Sequence, residues 1–334
     1  MYLDFEMVRS ITRGAAYVTE EDGFFRFHRY TPSQEQVGLA VRGSGYHLQM
    51  QATAGVRLAF FTDSDTLAFD YAITTIETVY KKASIDVRVN DVLMGHYSGE
   101  GDELTGHFAV SLTDGTTAKK KRVEVYLPYA MSAALAHITL DDGASVTPAF
   151  RSRRMVQYGD SITHGYYAEF PSMAYSSLIA KYCGADAYNH GIGGDQFFPE
   201  LVDAEEAFEP DIVTVAYGTN DWVCHDRAHI SEKCTEFFRK LSKKHPSAHI
   251  FAISPIWRGN FDIQTPYGEP VYAVDALIRE CTAGLANVHP VNGWELVGHE
   301  YAFFGDDVAV HPNDLGFGEY AAKLYEIIKP YLED

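Results

Sequence analysis

Met155-Val156-Gln157-Tyr158-Gly159-Asp160-Ser161-Ile162-Thr163 reads as a short apolar strand that runs directly into a polar loop. Towards the C-terminus the chain repeats that design. Ala187-Tyr188-Asn189 leads into Gly191-Ile192-Gly193-Gly194-Asp195, and Asp211-Ile212-Val213-Thr214-Val215-Ala216-Tyr217 leads into Gly218-Thr219-Asn220-Asp221. His249-Ile250-Phe251-Ala252-Ile253-Ser254 is a further strand. Helical character falls at 173–183, 231–244, 271–281 and about 317–328; in the second of these, Phe237, Phe238 and Leu241 form an apolar stripe. Apolar runs of this kind suit strands buried on both faces. Their alternation with helices predicts a three-layer, flavodoxin-like α/β domain built on a parallel sheet.

Towards the N-terminus the period changes. Val56-Arg57-Leu58-Ala59-Phe60-Phe61 and Thr66-Leu67-Ala68-Phe69-Asp70-Tyr71-Ala72-Ile73 flank the turn-like Asp63-Ser64-Asp65. Ser84-Ile85-Asp86-Val87-Arg88-Val89-Asn90 alternates apolar and polar residues, as a strand with one wet face does. Asp114-Gly115 and Asp142-Gly143 add turn signals. Short strands without a helix predict an all-β sandwich or jelly roll over residues 1–148, followed by the α/β domain over 149–334. The junction falls in Thr147-Pro148-Ala149-Phe150-Arg151-Ser152.

The formal charge of −19 opposes a polyanionic partner, so no nucleic-acid role is expected. Lys119-Lys120-Lys121-Arg122 is the one basic cluster, and it reads as a solvated turn entering the strand at Val123. No apolar run approaches the roughly 20 residues of a membrane helix. The first residues lack a basic segment followed by an apolar one, so a cytoplasmic protein without membrane contact is expected. Cys183, Cys224, Cys234 and Cys281 have no CxxC spacing and are expected to be reduced thiols. No HExxH or Cys/His ligand set occurs among the 14 histidines, so neither a metal nor a cofactor is expected.

In parallel α/β sheets, ligands bind beyond the carboxyl ends of the strands. The clusters at Ser161, Gly194 and Asn220 lie there, and His311-Pro312-Asn313-Asp314 immediately precedes the last helix. Singly each has a bland reading: a serine as helix cap, glycines as a tight turn, Asn220-Asp221 as a turn, a histidine held by backbone. In this order, Gly159-Asp160-Ser161, Gly193-Gly194-Asp195, Gly218-Thr219-Asn220-Asp221 and His311-Pro312-Asn313 together resemble the four blocks of the SGNH, or GDSL-type, hydrolases. The resemblance covers most of the chain from residue 155 onwards.

It implies Ser161 as nucleophile, His311 as general base, and an oxyanion hole made of the Ser161 and Gly194 backbone N–H groups and the Asn220 amide. The family usually places its aspartate three residues before the histidine, where this chain has Val308. Asp307 is the preferred substitute, with Asp306 or a Ser–His dyad as alternatives. Asp160 and Asp221 are read as loop-shaping hydrogen-bond acceptors, and His164 as a surface residue at a helix start. Trp222, Trp257 and Arg258 lie just past strand ends and are candidates for lining a substrate pocket, or simply for packing. Thr163 stands where a GxSxG elbow would have its second glycine, which argues against an ordinary α/β-hydrolase.

A β domain in front of such a hydrolase resembles two-domain bacterial carbohydrate esterases. The resemblance implies a serine esterase acting on a small-molecule acyl ester, with an acetylated oligosaccharide as the favoured substrate. The alternatives are a lipase, lysophospholipase or thioesterase on longer acyl chains, and a catalytically silent carbohydrate-binding protein. Homo-oligomerisation is left open.

Overall fold

The computed structural model describes residues 1–76, 80–113, 115, 119–306 and 308–333. The turn expected at Asp114 therefore lies, in part, outside the described residues.

The N-terminal region is a sandwich of two antiparallel sheets. One sheet orders Thr12–Arg13, Arg57–Thr62, Lys121–Tyr126, Lys82–Val89 and Val92–Glu100, with Val146–Pro148 pairing on Arg57–Thr62. The other orders Tyr17–Glu21, Phe24–His28, Met131–Leu140, Thr66–Thr75 and Glu103–Ser111. Alternate residues of the two sheets, among them Leu58, Phe60, Ile85 and Val87 on one and Phe25, Leu67, Phe69 and Leu135 on the other, share one buried core. The basic cluster does start a strand, but Lys121 is buried and ion-paired with Asp65 at 2.7 Å rather than solvated.

The expectation that this region lacks helices is corrected: Phe5–Ile11, Pro32–Arg42 and Ser44–Met50 are helical. Pro32–Arg42 begins with a full capping box. Thr31 Oγ1 accepts from the Gln34 N–H at 3.2 Å, Gln34 Oε1 accepts from the Thr31 N–H at 2.9 Å, and Pro32 takes the first helical position. Only Gln34 and Gly38 of this helix are buried, so it carries no strong apolar stripe, and periodicity passes over it.

The C-terminal region is the expected parallel sheet, ordered Ala185–Gly191, Arg153–Gly159, Ile212–Ala216, His249–Ile253 and Val288–Val291. The edge strand Val288–Val291 contains His289 and Pro290 and has no apolar run to betray it. Helices cover both faces, the longest being Arg227–Lys244 and Asp314–Ile328. From Arg153–Gly159 the chain first adds a strand on one side and then continues on the other. The resulting switch point opens a crevice between the loops after Arg153–Gly159 and Ile212–Ala216. The two regions share more than a linker: Ala54, Tyr129 and Ala130 belong to the same buried cluster as Ile162, Tyr175 and Phe317. Arg29, fully buried, donates to the carbonyls of Asn189 at 2.7 Å and Gly191 at 3.0 Å in the parallel sheet.

Candidate active site

Ser161 opens a one-turn helix, Ser161–His164. Asp160 caps that turn by accepting the Ile162 N–H at 2.9 Å, and Gly165 ends it in the left-handed region at φ 109°. The turn is pressed against the neighbouring strand end. A Cβ on Gly191 would lie 2.3 Å from the His164 nitrogen, so only glycine lets the strand pass beneath the serine. His164 is a correction to its reading as a surface residue. It is fully buried, with Nε2 2.7 Å from the Tyr129 carbonyl, and burial holds its pKa well below the ordinary value.

His311, brought by the loop before the last helix, places Nε2 2.8 Å from Ser161 Oγ. Its Nδ1 lies 2.7 Å from Asp306 Oδ2. A carboxylate only accepts, so Nδ1 carries the proton and Nε2 is left to accept from the serine hydroxyl. The same carboxylate accepts the Val310 N–H at 2.7 Å and the His311 N–H at 3.0 Å. Burial opposes its charge, but these hydrogen bonds outweigh burial and hold the Asp306 pKa below the ordinary value. The carboxylate placed beside His311 is that of Asp306, the alternative to Asp307; Asp307 lies outside the described residues. Asp306 precedes His311 by five residues rather than three, and its carboxylate folds back onto the N–H groups of its own loop. Tyr167, at a left-handed φ of 73°, stacks on the imidazole with ring centroids 5.2 Å apart, so backbone strain is retained where the ring packs on His311.

Gly194 and Asn220 complete the same wall. Asn220 Nδ2 donates to the Asp195 carbonyl at 3.0 Å, which orients the amide and leaves its second N–H for another acceptor. The backbone N–H groups of Ser161 and Gly194 donate to no other described residue. Gly194 has φ 76°, and a Cβ there would meet nothing within 4 Å; backbone conformation, not space, demands the glycine. Asp221 and Asp160 act as loop shapers, as expected. Asp221 accepts the Gly218 N–H at 3.1 Å and the Phe197 N–H at 3.2 Å. Burial pushes both carboxyls up to about 7.

Ser161, His311, Gly194 and Asn220 line one cavity of about 560 Å³. Its further walls include Gln49 and Tyr80 from the sandwich region, Tyr166 and Tyr167, and Arg258. Of the three residues singled out past strand ends, Arg258 alone is on that wall. Trp222 is fully buried beneath the Arg258 guanidinium, 5.3 Å from ring centroid to Cζ. Trp257 stacks on His299. Gln49 and Tyr80 carry no local motif, because they reach the cavity only through the docking of the two regions. Among the described residues no group of three or more His, Cys, Asp or Glu side chains is placed to hold a metal, and the four cysteines are free thiols.

Residues 158–318 match the model of the GDSL-like lipase/acylhydrolase family. No curated protein matches the sequence. Among solved structures, the salicylyl-acyltransferase SsfX3 from a tetracycline biosynthetic pathway superposes with a TM-score of 0.80 at 23% identity, over 96% of this chain and 94% of that one. A putative GDSL-like lipase from Bacteroides ovatus superposes with a TM-score of 0.74 at 19% identity, over 100% and 98%. A family two carbohydrate esterase from Clostridium thermocellum, solved with cellohexaose, gives 0.65 at 16% identity, over 84% and 94%. The class these findings define is the carboxylic ester hydrolases. The parallel-sheet region is a GDSL-like lipase/acylhydrolase domain, and a β-rich domain precedes it.

Proposed function

We propose that the protein is a serine esterase that removes small acyl groups, acetyl foremost, from carbohydrate hydroxyls. The observation that carries this reading is the chain of contacts from Ser161 Oγ to His311 Nε2 at 2.8 Å and from His311 Nδ1 to Asp306 at 2.7 Å. Ser161 Oγ attacks the ester carbonyl carbon while His311 Nε2 takes its proton; the imidazolium then protonates the departing alcohol oxygen. Water, deprotonated by the same nitrogen, attacks the acyl-serine and releases the acid. In both tetrahedral intermediates the oxyanion is held by the Ser161 and Gly194 N–H groups and by Asn220. Asp306 keeps the proton on Nδ1 and stabilises the imidazolium charge. A carbohydrate as the alcohol portion is supported by the likeness to a carbohydrate esterase that spans both regions.

The test compares p-nitrophenyl acetate with p-nitrophenyl octanoate, alongside acetylated oligosaccharides monitored by mass for lost acetyl groups. Hydrolysis that favours acetate and vanishes in Ser161→Ala and His311→Ala is expected. A marked preference for octanoate replaces the reading with a long-chain lipase or thioesterase, and a rate indistinguishable from buffer replaces it with a silent binding protein. A second reading, transfer of the acyl group to an alcohol rather than to water, is favoured by the likeness to a salicylyl-acyltransferase over nearly the whole chain. Ester products formed on adding acceptor alcohols would show it.

A further inference from the structure

Arg258 sits on the cavity wall shared with Ser161, His311 and Asn220, and it is 7% exposed. Two of its donors meet neutral oxygens: Nε gives a hydrogen bond to Asn260 Oδ1 at 2.6 Å and Nη1 to Thr219 Oγ1 at 3.0 Å. No carboxylate lies within ion-pair distance of it among the described residues; Asp160 and Asp306 act on it only through space. Nη2 donates to no described residue. The Trp222 ring lies against the guanidinium and, with the two neutral acceptors, fixes its plane.

A buried guanidinium without a carboxylate is costly in a chain of net charge −19 that could readily supply one. Burial lowers its pKa, which records that cost. A guanidinium held rigid on a cavity wall with its Nη2 donors unused is suited to bind a carboxylate.

We propose that Arg258 is a specificity-determining residue that binds a carboxylate carried by the substrate beside the scissile ester. The inference rests on the esterase reading above and narrows it to anionic esters. The carboxylate belongs either to the alcohol portion, as in an acetylated uronic acid, or to the acyl portion, as in a hemisuccinate. Both present the same group to the same guanidinium.

The test measures kcat/KM for two matched pairs: O-acetyl methyl glucuronoside against O-acetyl methyl glucoside, and p-nitrophenyl hydrogen succinate against p-nitrophenyl acetate. The wild type is expected to favour the anionic member of one pair by roughly tenfold to a hundredfold, as a charge-assisted hydrogen-bonded contact implies. The pair that shows the preference tells which portion bears the carboxylate. In Arg258→Gln the anionic-to-neutral ratio is expected to collapse towards one, with Arg258→Lys keeping part of it.

Equal rates within both pairs in the wild type overturn the proposal. So does an Arg258→Gln variant in which both members fall by the same factor, because the arginine then acts only by holding Thr219 next to Asn220. Competitive inhibition of the wild type by glucuronate but not by glucose, or by succinate but not by ethanol, supports the proposal without any variant, and inhibition by neither anion opposes it. Ser161-dependent hydrolysis of p-nitrophenyl acetate reports on the esterase reading alone, so the two failures are distinguishable.

Discussion

The carboxylate of Asp306 accepts from three donors within the five residues that follow it, which makes the acid and its loop a single unit. Asp306→Asn would offer an N–H to His311 Nδ1 and favour the tautomer that cannot accept from Ser161. A kcat loss on the order of 10⁴ is expected, against less than about tenfold for Asp307→Asn; the two rates on p-nitrophenyl acetate decide between the positions. Asn220→Ala removes one oxyanion donor and is expected to lower kcat by about 10²–10³ while leaving the thermal midpoint nearly unchanged. Asp160 tests the effect of burial. Its folded pKa of about 7 lies above the roughly 3.9 of an unfolded aspartate. Between those values the unfolded chain ionises while the folded carboxyl stays protonated, so the contribution of this group to stability falls as pH rises and levels off above 7. Asp160→Asn escapes that fall. Its midpoint relative to wild type is expected to rise between pH 5 and pH 8, and a constant difference would contradict a pKa raised by burial.

At the scale of elements, the site depends on how closely the turn at Ser161 lies on the end of the strand Ala185–Gly191. Gly191→Ala would drive a methyl into the His164 nitrogen and the Thr163 carbonyl carbon, 2.3 and 2.7 Å from the ideal Cβ, and both are backbone atoms that cannot rotate away. A stability loss of about 1–3 kcal/mol, with a displaced Ser161 and a fall in kcat, is expected by thermal unfolding and ester assay. Thr31→Ala breaks the capping box of Pro32–Arg42 and should cost about 1 kcal/mol. Because Thr31 Oγ1 also donates to the Glu205 carbonyl at 2.7 Å, part of that loss is the seam between the two regions. The inner strands of the parallel sheet were legible because an apolar run is what a strand buried on both faces requires, whereas the edge strand Val288–Val291 has no such run. The helix Pro32–Arg42 was missed, since a helix that covers rather than fills a core needs no apolar stripe; its local signal is the capping sequence Thr31-Pro32-Ser33-Gln34.

In the whole molecule, the sandwich region packs against the hydrolase domain and supplies part of the cavity wall. Ala54, Tyr129 and Ala130 share a buried cluster with Ile162 of the turn at Ser161, and Gln49 and Tyr80 stand on the cavity wall. Residues 149–334 expressed alone would expose that apolar seam and leave the cleft open on one side. The fragment is expected to aggregate or to lose ester hydrolysis, as size-exclusion chromatography and the acetate assay would show, and a soluble fragment with wild-type kcat/KM would refute the dependence.

The amino-acid sequence alone determined the alternation of strand and helix and the strand-end position of Ser161, Gly194 and Asn220, because each leaves a local pattern of residue types; the pairing of Ser161 with His311 followed from the family resemblance, not from any local pattern. Tertiary structure alone decided which aspartate meets His311, that His164 is buried, and that Arg258, Gln49 and Tyr80 share a cavity with the serine. Those facts depend on loop path and on contacts between residues far apart in the chain, and no local period or propensity records a distance across the fold.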